Sequence, residues 1–233
     1  MLKFESQIKD SMPDLSFTIG QLKITPFFWS VILAFIISSF SFWRRLREDY
    51  REEEIFGLTL FILAGSLLFT WISAYVFGSQ RPFFSLAFLG GILSVKLWSL
   101  RFKVNIWEVF DALSLPLLFF FLFGGIGSFL RSGNFWDLQY FGVGILGLGV
   151  WKFSKEKYRS FSWYKSGKVG FLLWAVSFIV FLLLALLAFI EGNALYFELL
   201  ILIFIALFSA IMIYLRAERN FSEDWRNILK WRK

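Results

Sequence analysis

Seven apolar stretches of 17 to 23 residues divide this sequence, and short segments rich in Lys and Arg separate them. A helix of about 17 to 25 predominantly apolar residues is long enough to cross a bilayer. The predicted spans are Phe27–Trp43, Ile55–Phe77, Phe83–Leu100, Trp107–Phe123, Phe135–Trp151, Val169–Ile190 and Leu195–Leu215. We therefore expect an all-α, polytopic integral membrane protein with about seven transmembrane helices, forming a single membrane domain over residues 1–233.

The composition supports lipid as the solvent of this chain. Of its 233 residues, 58% are hydrophobic and 22% are aromatic. In a soluble domain of this size, apolar atoms already contribute over half of the accessible surface. Its interior is too small to bury the additional hydrophobic side chains of this chain. Phe side chains suit lipid-facing helices, while Trp and Tyr favour the two membrane interfaces.

The distribution of Lys and Arg predicts the orientation. With the N-terminus outside and the C-terminus in the cytoplasm, 18 of the 24 basic residues fall on the inner side, five fall outside and Lys96 lies within a helix. Cytoplasmic loops carry such an excess in membrane proteins. The net charge of +7 is then explained by topology and by contact with anionic headgroups, so we expect no nucleic-acid partner.

The sequence contains no Cys and no His. Thiolate nucleophiles, imidazole acid–base catalysis and the usual zinc or haem ligands are therefore excluded for this chain. We expect neither a metal ion nor a cofactor.

Two glycine-containing segments interrupt the apolar pattern on the predicted outer side, Phe88-Leu89-Gly90-Gly91 and the longer segment 124–133 after the fourth span. At membrane depth, the N–H and C=O groups of such backbone need hydrogen bonds from protein or water. Its N–H groups can also bind a phosphate. The alternative is a tight turn. The similar depth of the two segments predicts a cavity between the third, fourth and seventh helices. The residues expected to form its floor are Gly90, Gly91, Gly124 and Gly127.

The order of several short motifs resembles that of the prolipoprotein diacylglyceryl transferase family. Segment 19–24 is similar to the family's "IGPLxIR", the acidic segment 52–54 precedes the second span, and Phe88-Leu89-Gly90-Gly91 is similar to "FHGG". Asp111 fits the family's Asp in the fourth helix, and Gly124-Gly125-Ile126-Gly127-Ser128-Phe129 resembles "GRxGNF". The resemblance covers most of the chain and agrees with seven helices and an outside N-terminus.

The resemblance implies a multi-pass enzyme of the bacterial plasma membrane that acts in lipoprotein biosynthesis. The family transfers diacylglyceryl from phosphatidylglycerol to the lipobox cysteine of a prolipoprotein, and glycerol phosphate leaves. The implied partners are phosphatidylglycerol and prolipoprotein signal peptides. The implied substrate-binding residues are Gly90, Gly91, Gly124, Gly125, Gly127, Ser128 and Arg131.

The motifs depart from the family at its chemically active positions. Leu89 stands where the family has His, Gly125 where it has Arg, and Ser128 where it has Asn. Arg131 lies in the same segment as the missing Arg and is the candidate to contact a phosphate, while Asp137 and Glu198 are candidate bases. Asp111 lies near the inner end of its span, where we expect it to form a structural pair with Lys96 or Arg101; the alternative is a proton relay.

These departures leave three functions open. One is a divergent transferase that works with a reduced set of residues. A second is a non-catalytic relative that binds phospholipid or a lipoprotein signal peptide. A third is an unrelated small transporter or scaffold. Because the missing Arg carries a charge that neutral groups replace poorly and the missing His could act as a base, we expect transfer to be far slower than in a full family member, or absent.

Overall fold

The computed structural model describes residues 17–19, 22–77, 84–164, 166–191 and 196–219. Two short strands, β1 (Phe17–Ile19) and β2 (Leu22–Ile24), pair antiparallel with Phe17 opposite Ile24. Apart from its connecting turns, the rest of the described chain is helical. Its long helices are α1 (Pro26–Leu46), α2 (Glu52–Phe77), α3 (Phe84–Arg101), α4 (Ile106–Ser132), α5 (Leu138–Lys157), α6 (Phe171–Glu191) and α7 (Tyr196–Arg216).

Six of these helices, α1 to α4, α6 and α7, are long and apolar enough to cross a membrane. The fold is therefore that of a polytopic α-helical membrane protein. Helix α5 is 20 residues long, but its glycines and the charged residues of its last two turns lower its hydropathy. The exposed faces agree with a lipid environment, since Phe56, Trp71 and Phe189 are each more than 60% exposed. Lipid removes the cost of exposing such faces.

Helix pairing does not follow the order of the chain. Helix α1 packs along α4, whereas α2 packs along α3 and touches α1 only slightly. Ser38 of α1 donates a hydrogen bond to the carbonyl oxygen of Pro116 in α4 (3.2 Å). On the other side of α4 lie α5 and α6, and α6 packs along α7. Helix α4 is consequently the central element of the bundle.

The glycine segment after the predicted fourth span is helical, which corrects its interpretation as a turn. Helix α4 continues nine residues beyond Phe123, to Ser132. The turn is confined to Gly133, whose φ of 66° is left-handed and whose N–H donates to the carbonyl of Phe129 (2.8 Å). A glycine at this position is the usual end of a helix, because it has no Cβ to clash. A short 3₁₀ turn, Phe135–Asp137, then leads into α5.

The bundle has two ends, which are named here after a basic residue at each. The Arg131 end contains the C-terminus of α4 and the N-termini of α3, α5 and α7. The Lys155 end contains the C-termini of α3, α5 and α7 and the N-termini of α4 and α6. An aromatic cluster closes the Lys155 end, where Tyr158 and Phe171 stack at 5.5 Å between ring centres and Tyr164 is 1% exposed. Burial raises the pKa of the Tyr164 phenol, which donates to the carbonyl of Lys168 (2.8 Å).

Candidate functional site

A polar cavity of about 130 Å³ lies at the Arg131 end of the bundle. It is bordered by α3, α4 and α7, the three helices between which the sequence predicts a cavity, and also by α1, α5 and α6. Four of the residues proposed from sequence line it, namely Ser128, Arg131, Asp137 and Glu198. The structure thus brings the candidate cation and both candidate carboxylates to one place.

The turn after α4 positions Asp137 through local hydrogen bonds. The hydroxyl of Ser132 donates to the Asp137 carboxylate and accepts from the N–H of Asn134 (3.0 Å). The side chain of Asn134 in turn accepts from the N–H of Trp136 (2.9 Å), which caps the 3₁₀ turn. Ser and Asn favour such positions because their side chains satisfy backbone N–H groups that the turn leaves without partners.

Arg131 lies at the rim of the polar cavity. Its guanidinium is 5.2 Å from the ring centre of Phe27 in α1, a cation–π distance, and its side chain is exposed. Phe27 itself lines the cavity. The stacked guanidinium keeps its N–H donors available at the cavity mouth, where they can contact a phosphate.

Ser85 is a polar residue of this cavity that the sequence analysis did not single out. Ser85, in the first turn of α3, lines the cavity and is 2% exposed, and its hydroxyl has no hydrogen-bond partner. Gln139 also lines the cavity, and its Oε1 is buried without a partner. Nothing in the sequence distinguishes Ser85 from the many other Ser residues of the apolar helices.

The glycines proposed as substrate-binding residues lie at helix contacts. Gly90 packs against Gly65 and Phe69 of α2, and Gly91 faces Ser66 of the same helix. On α4, Gly124 faces Phe84, Gly125 meets the backbone of Phe141 in α5, and Gly127 meets Ser30 of α1. The described lining of the polar cavity includes none of Gly90, Gly91, Gly124 and Gly127, the glycines expected to form its floor.

A second cavity, of about 300 Å³ and almost wholly apolar, lies directly beside the first. It occupies the gap between the α1–α4 pair and the α2–α3 pair, and is called the apolar slot below. Its lining includes Gly91 of α3 and residues of α1 from Phe27 to Phe42. Phe27 and Phe84 line both the slot and the polar cavity, so the two volumes share a boundary.

Asp111 lies at the Lys155 end of the bundle, where it stabilises the N-terminus of α6. Its carboxylate accepts the backbone N–H groups of Gly170 (2.7 Å) and Leu172 (2.8 Å), at the N-terminus of α6. The expected pair with Lys96 or Arg101 is therefore corrected. The first N–H groups of a helix need acceptors and attract negative charge, and the sequence offers no acceptor next to Gly170, so a distant carboxylate supplies one.

The position at which the resembling family carries His is part of the apolar core. Leu89 packs against the cluster that includes Phe121, Phe181 and Leu202 from α4, α6 and α7. Two residues of the segment 19–24, Gly20 and Gln21, lie outside the described residues. Within the described ranges, no group of Asp and Glu residues could hold a metal ion.

The geometry defines a helical membrane protein with a polar cavity at one end and an adjoining apolar slot. No family model matches the chain, and no curated protein or solved structure matches it either.

Proposed function

We propose that this protein binds a glycerophospholipid in the bacterial plasma membrane, on a scaffold like that of the prolipoprotein diacylglyceryl transferases. The observation that carries the proposal is the shared boundary of the two cavities at Phe27 and Phe84. A phospholipid has the same arrangement, with a polar headgroup joined to apolar chains. The resemblance implies phosphatidylglycerol as the lipid, while the proposal itself requires only a phosphate and an acyl chain.

The dimensions of the slot suit one acyl chain. Its lining extends along α1 from Phe27 to Phe42 and along α2 from Thr70 to Thr59. At 1.5 Å per helical residue these segments measure about 16 to 22 Å. One leaflet of a bilayer is about 15 Å deep, half of the hydrocarbon core. A chain that enters at the Arg131 end would therefore extend to the middle of the membrane inside the protein.

The proposed orientation places the polar cavity at the outer surface. Seven spans, with α5 crossing, and an outside N-terminus put Arg131 outside and Lys155 in the cytoplasm. The headgroup cavity then faces the leaflet that a prolipoprotein reaches after export. Signal peptides of prolipoproteins are the protein partners that the resemblance implies.

Lipid binding is tested by filling the slot. Ala87 of α3 lines the slot, whereas Ala64 of α2 is exposed on the lipid face. Ala87→Phe should weaken binding of a pyrene-labelled phospholipid by about tenfold or more, because the ring occupies the volume of the chain. Ala64→Phe adds the same ring outside the slot and should leave binding unchanged. Energy transfer from the 11 Trp residues to pyrene measures the affinity. Equal binding by both variants would contradict the proposal.

A second candidate function is slow diacylglyceryl transfer, favoured by the presence of Arg131 and Asp137 in one cavity. In that reaction a base takes the proton of the lipobox thiol, and the sulfur bonds to the diacylglyceryl carbon that carries the phosphate. The bond from this carbon to the phosphate oxygen breaks, and glycerol phosphate leaves with the electron pair. A thiol with an ordinary pKa near 8.5 is only a few per cent thiolate at neutral pH. Without His and the motif Arg, the rate should be lower by a factor of about 10² to 10⁴ or more.

Transfer is tested with purified protein, phosphatidylglycerol liposomes and a lipobox peptide, by following release of glycerol phosphate. We expect turnover well below about 1 s⁻¹, the lower end of ordinary enzymes. Faster turnover would show that the reduced residue set is sufficient. Any activity that remains should be lost in Arg131→Ala, and its persistence would remove Arg131 as the phosphate contact.

A further inference from the structure

The charges of the polar cavity identify the kind of headgroup that it accepts. We infer that the cavity binds a phospholipid with a primary ammonium group, such as phosphatidylethanolamine, through its carboxylates, with Arg131 on the phosphate. This inference rests on the proposed function, since it assumes that the ligand is a phospholipid. It differs from the lipid that the sequence resemblance implies, because it is drawn from the residues that surround the cavity in this chain.

The described lining of the polar cavity contains more carboxylates than cationic side chains. The described residues that line the cavity include three carboxylates, Asp137, Glu191 and Glu198, and one cation, Arg131. An anionic headgroup such as phosphoglycerol could pair with Arg131, but its phosphate would then share the cavity with the carboxylates of Asp137 and Glu191. A phosphoethanolamine headgroup has both signs. Its phosphate can contact the guanidinium at the rim, and its ammonium can contact the carboxylates.

Two buried polar atoms of the cavity lining have no hydrogen-bond partner. The hydroxyl of Ser85 is buried without a partner, and so is the Oε1 of Gln139; both residues line the cavity. A buried polar atom without a hydrogen bond costs about 1–3 kcal/mol, so such atoms are expected to meet a ligand or water. Gln139 Oε1 can only accept, and therefore needs a donor. An ammonium has three N–H donors and satisfies it.

The N–H donors of the ammonium group distinguish an ethanolamine headgroup from a choline headgroup. A quaternary ammonium has no N–H, so it can neither donate to Gln139 Oε1 nor form hydrogen bonds with Glu191 and Glu198. Aromatic side chains that line the cavity, such as Phe27 and Phe84, would attract either cation. Discrimination between the two headgroups must therefore come from hydrogen bonds to the carboxylates and the amide oxygen.

The polar cavity and the adjoining apolar slot should together bind a whole phospholipid more tightly than a free amine. About 130 Å³ accommodates a small polar group, and Phe27 and Phe84, which line both volumes, bring the apolar slot next to it for the attached chain. Free phosphoethanolamine would use the polar contacts alone. It should therefore bind much more weakly than the lipid, and it serves as a probe for the contribution of the slot.

The experiment uses the whole chain in nanodiscs that contain equal amounts of phosphatidylethanolamine and phosphatidylglycerol. Native mass spectrometry after transfer to detergent measures which lipid is retained. We expect phosphatidylethanolamine to exceed phosphatidylglycerol by about tenfold, the effect of one charge-assisted hydrogen bond. In nanodiscs of the singly, doubly and triply methylated headgroups, retention should fall at each step.

Variants locate the effect. The double variant Glu191→Gln/Glu198→Gln should bring the ratio of the two lipids close to one, and Ser85→Ala should lower phosphatidylethanolamine retention several-fold without loss of thermal stability. The double variant Glu53→Gln/Glu156→Gln, an equal charge change at exposed positions of α2 and α5, is the matched control and should leave the ratio unchanged.

The outcomes separate this inference from the function on which it rests. Equal or greater retention of phosphatidylglycerol, or no effect of methylation, overturns the ethanolamine inference and leaves phospholipid binding intact. Failure to retain any phospholipid overturns both. Because the methylation series uses the unaltered chain, the inference remains testable even if the double variant does not fold.

Discussion

At the scale of single residues, Asp111 connects two helices that are far apart in sequence. It is 7% exposed and accepts hydrogen bonds from Gly170 and Leu172, so it completes the N-terminus of α6 from within α4. Asn at position 111 would keep one acceptor oxygen but place an amide NH₂ group against a backbone N–H. We expect Asp111→Asn to lower the stability by about 1–3 kcal/mol, measured as a lower thermal midpoint in detergent.

The matched control for Asp111→Asn is Glu156→Gln, which removes a carboxylate from an exposed position near the same end of the bundle. Surface changes of this kind usually alter stability by less than about 0.5 kcal/mol. Equal midpoints for the two variants would show that the carboxylate of Asp111 is not needed at the helix terminus.

Tyr50, in the connection between α1 and α2, makes a pH-dependent contribution to the stability of the folded state. Its phenol donates to Glu108 (2.8 Å) and accepts from the N–H of Asn105 (3.1 Å). Burial, with the neighbouring carboxylate, raises its pKa from 10.0 to about 12. The folded state therefore favours the neutral phenol, and the stabilisation is complete below pH 10 and lost as the pH rises through about 12. Tyr50→Phe should lower stability by about 1–2 kcal/mol at neutral pH, and the difference from the parent should vanish above pH 12. A difference that is independent of pH would contradict this assignment.

At the scale of elements, glycine decides how closely α4 approaches its neighbours. A Cβ at Gly125 would collide with the backbone of Phe141, whereas a Cβ at Gly142 in α5 would meet nothing within 4 Å. Gly125→Ala must separate α4 from α5 and should cost about 1–3 kcal/mol. Gly142→Ala adds the same methyl group in open space and should be neutral, or stabilising by up to about 1 kcal/mol through the backbone. Thermal midpoints of the two variants test this, and a comparable loss at both positions would show that the contact does not limit packing.

Hydropathy predicted the helices better than it predicted their ends. The expected start of the second span at Ile55 lies three residues inside α2, because Glu52 to Glu54 occupy its first turn, where the helix dipole favours negative charge. The end of α4 was missed by nine residues. Glycine has a low intrinsic helix propensity, and here the close contacts with α1 and α5 outweigh it. Those contacts depend on which helices become neighbours, which the sequence of α4 alone does not specify.

At the scale of the whole molecule, the candidate site combines residues that the sequence analysis had already grouped together with cavity walls that hydropathy does not predict. Arg131, Asp137 and Glu198 were proposed together because each lies near the predicted outer end of a span, and all three line the polar cavity. The apolar slot results from the pairing of α1 with α4 and of α2 with α3. Apolar faces in lipid are chemically alike, so hydropathy carries little information about which helices pair.

The membrane topology of the chain depends on whether α5 crosses the bilayer. Arg131 is in the last turn of α4 and Lys155 in the last turn of α5, so a crossing α5 places them on opposite sides of the membrane. Hydropathy alone leaves α5 outside the six clear spans, but the excess of basic residues on alternate connections favours a crossing. The chain has no Cys, so Arg131→Cys and Lys155→Cys each introduce one reactive thiol. In intact cells an impermeant maleimide should label position 131 and should label position 155 only after permeabilisation. Labelling of both positions from outside would mean that α5 does not cross. Labelling of position 155 alone would reverse the orientation, and with it the leaflet from which a phospholipid enters the polar cavity.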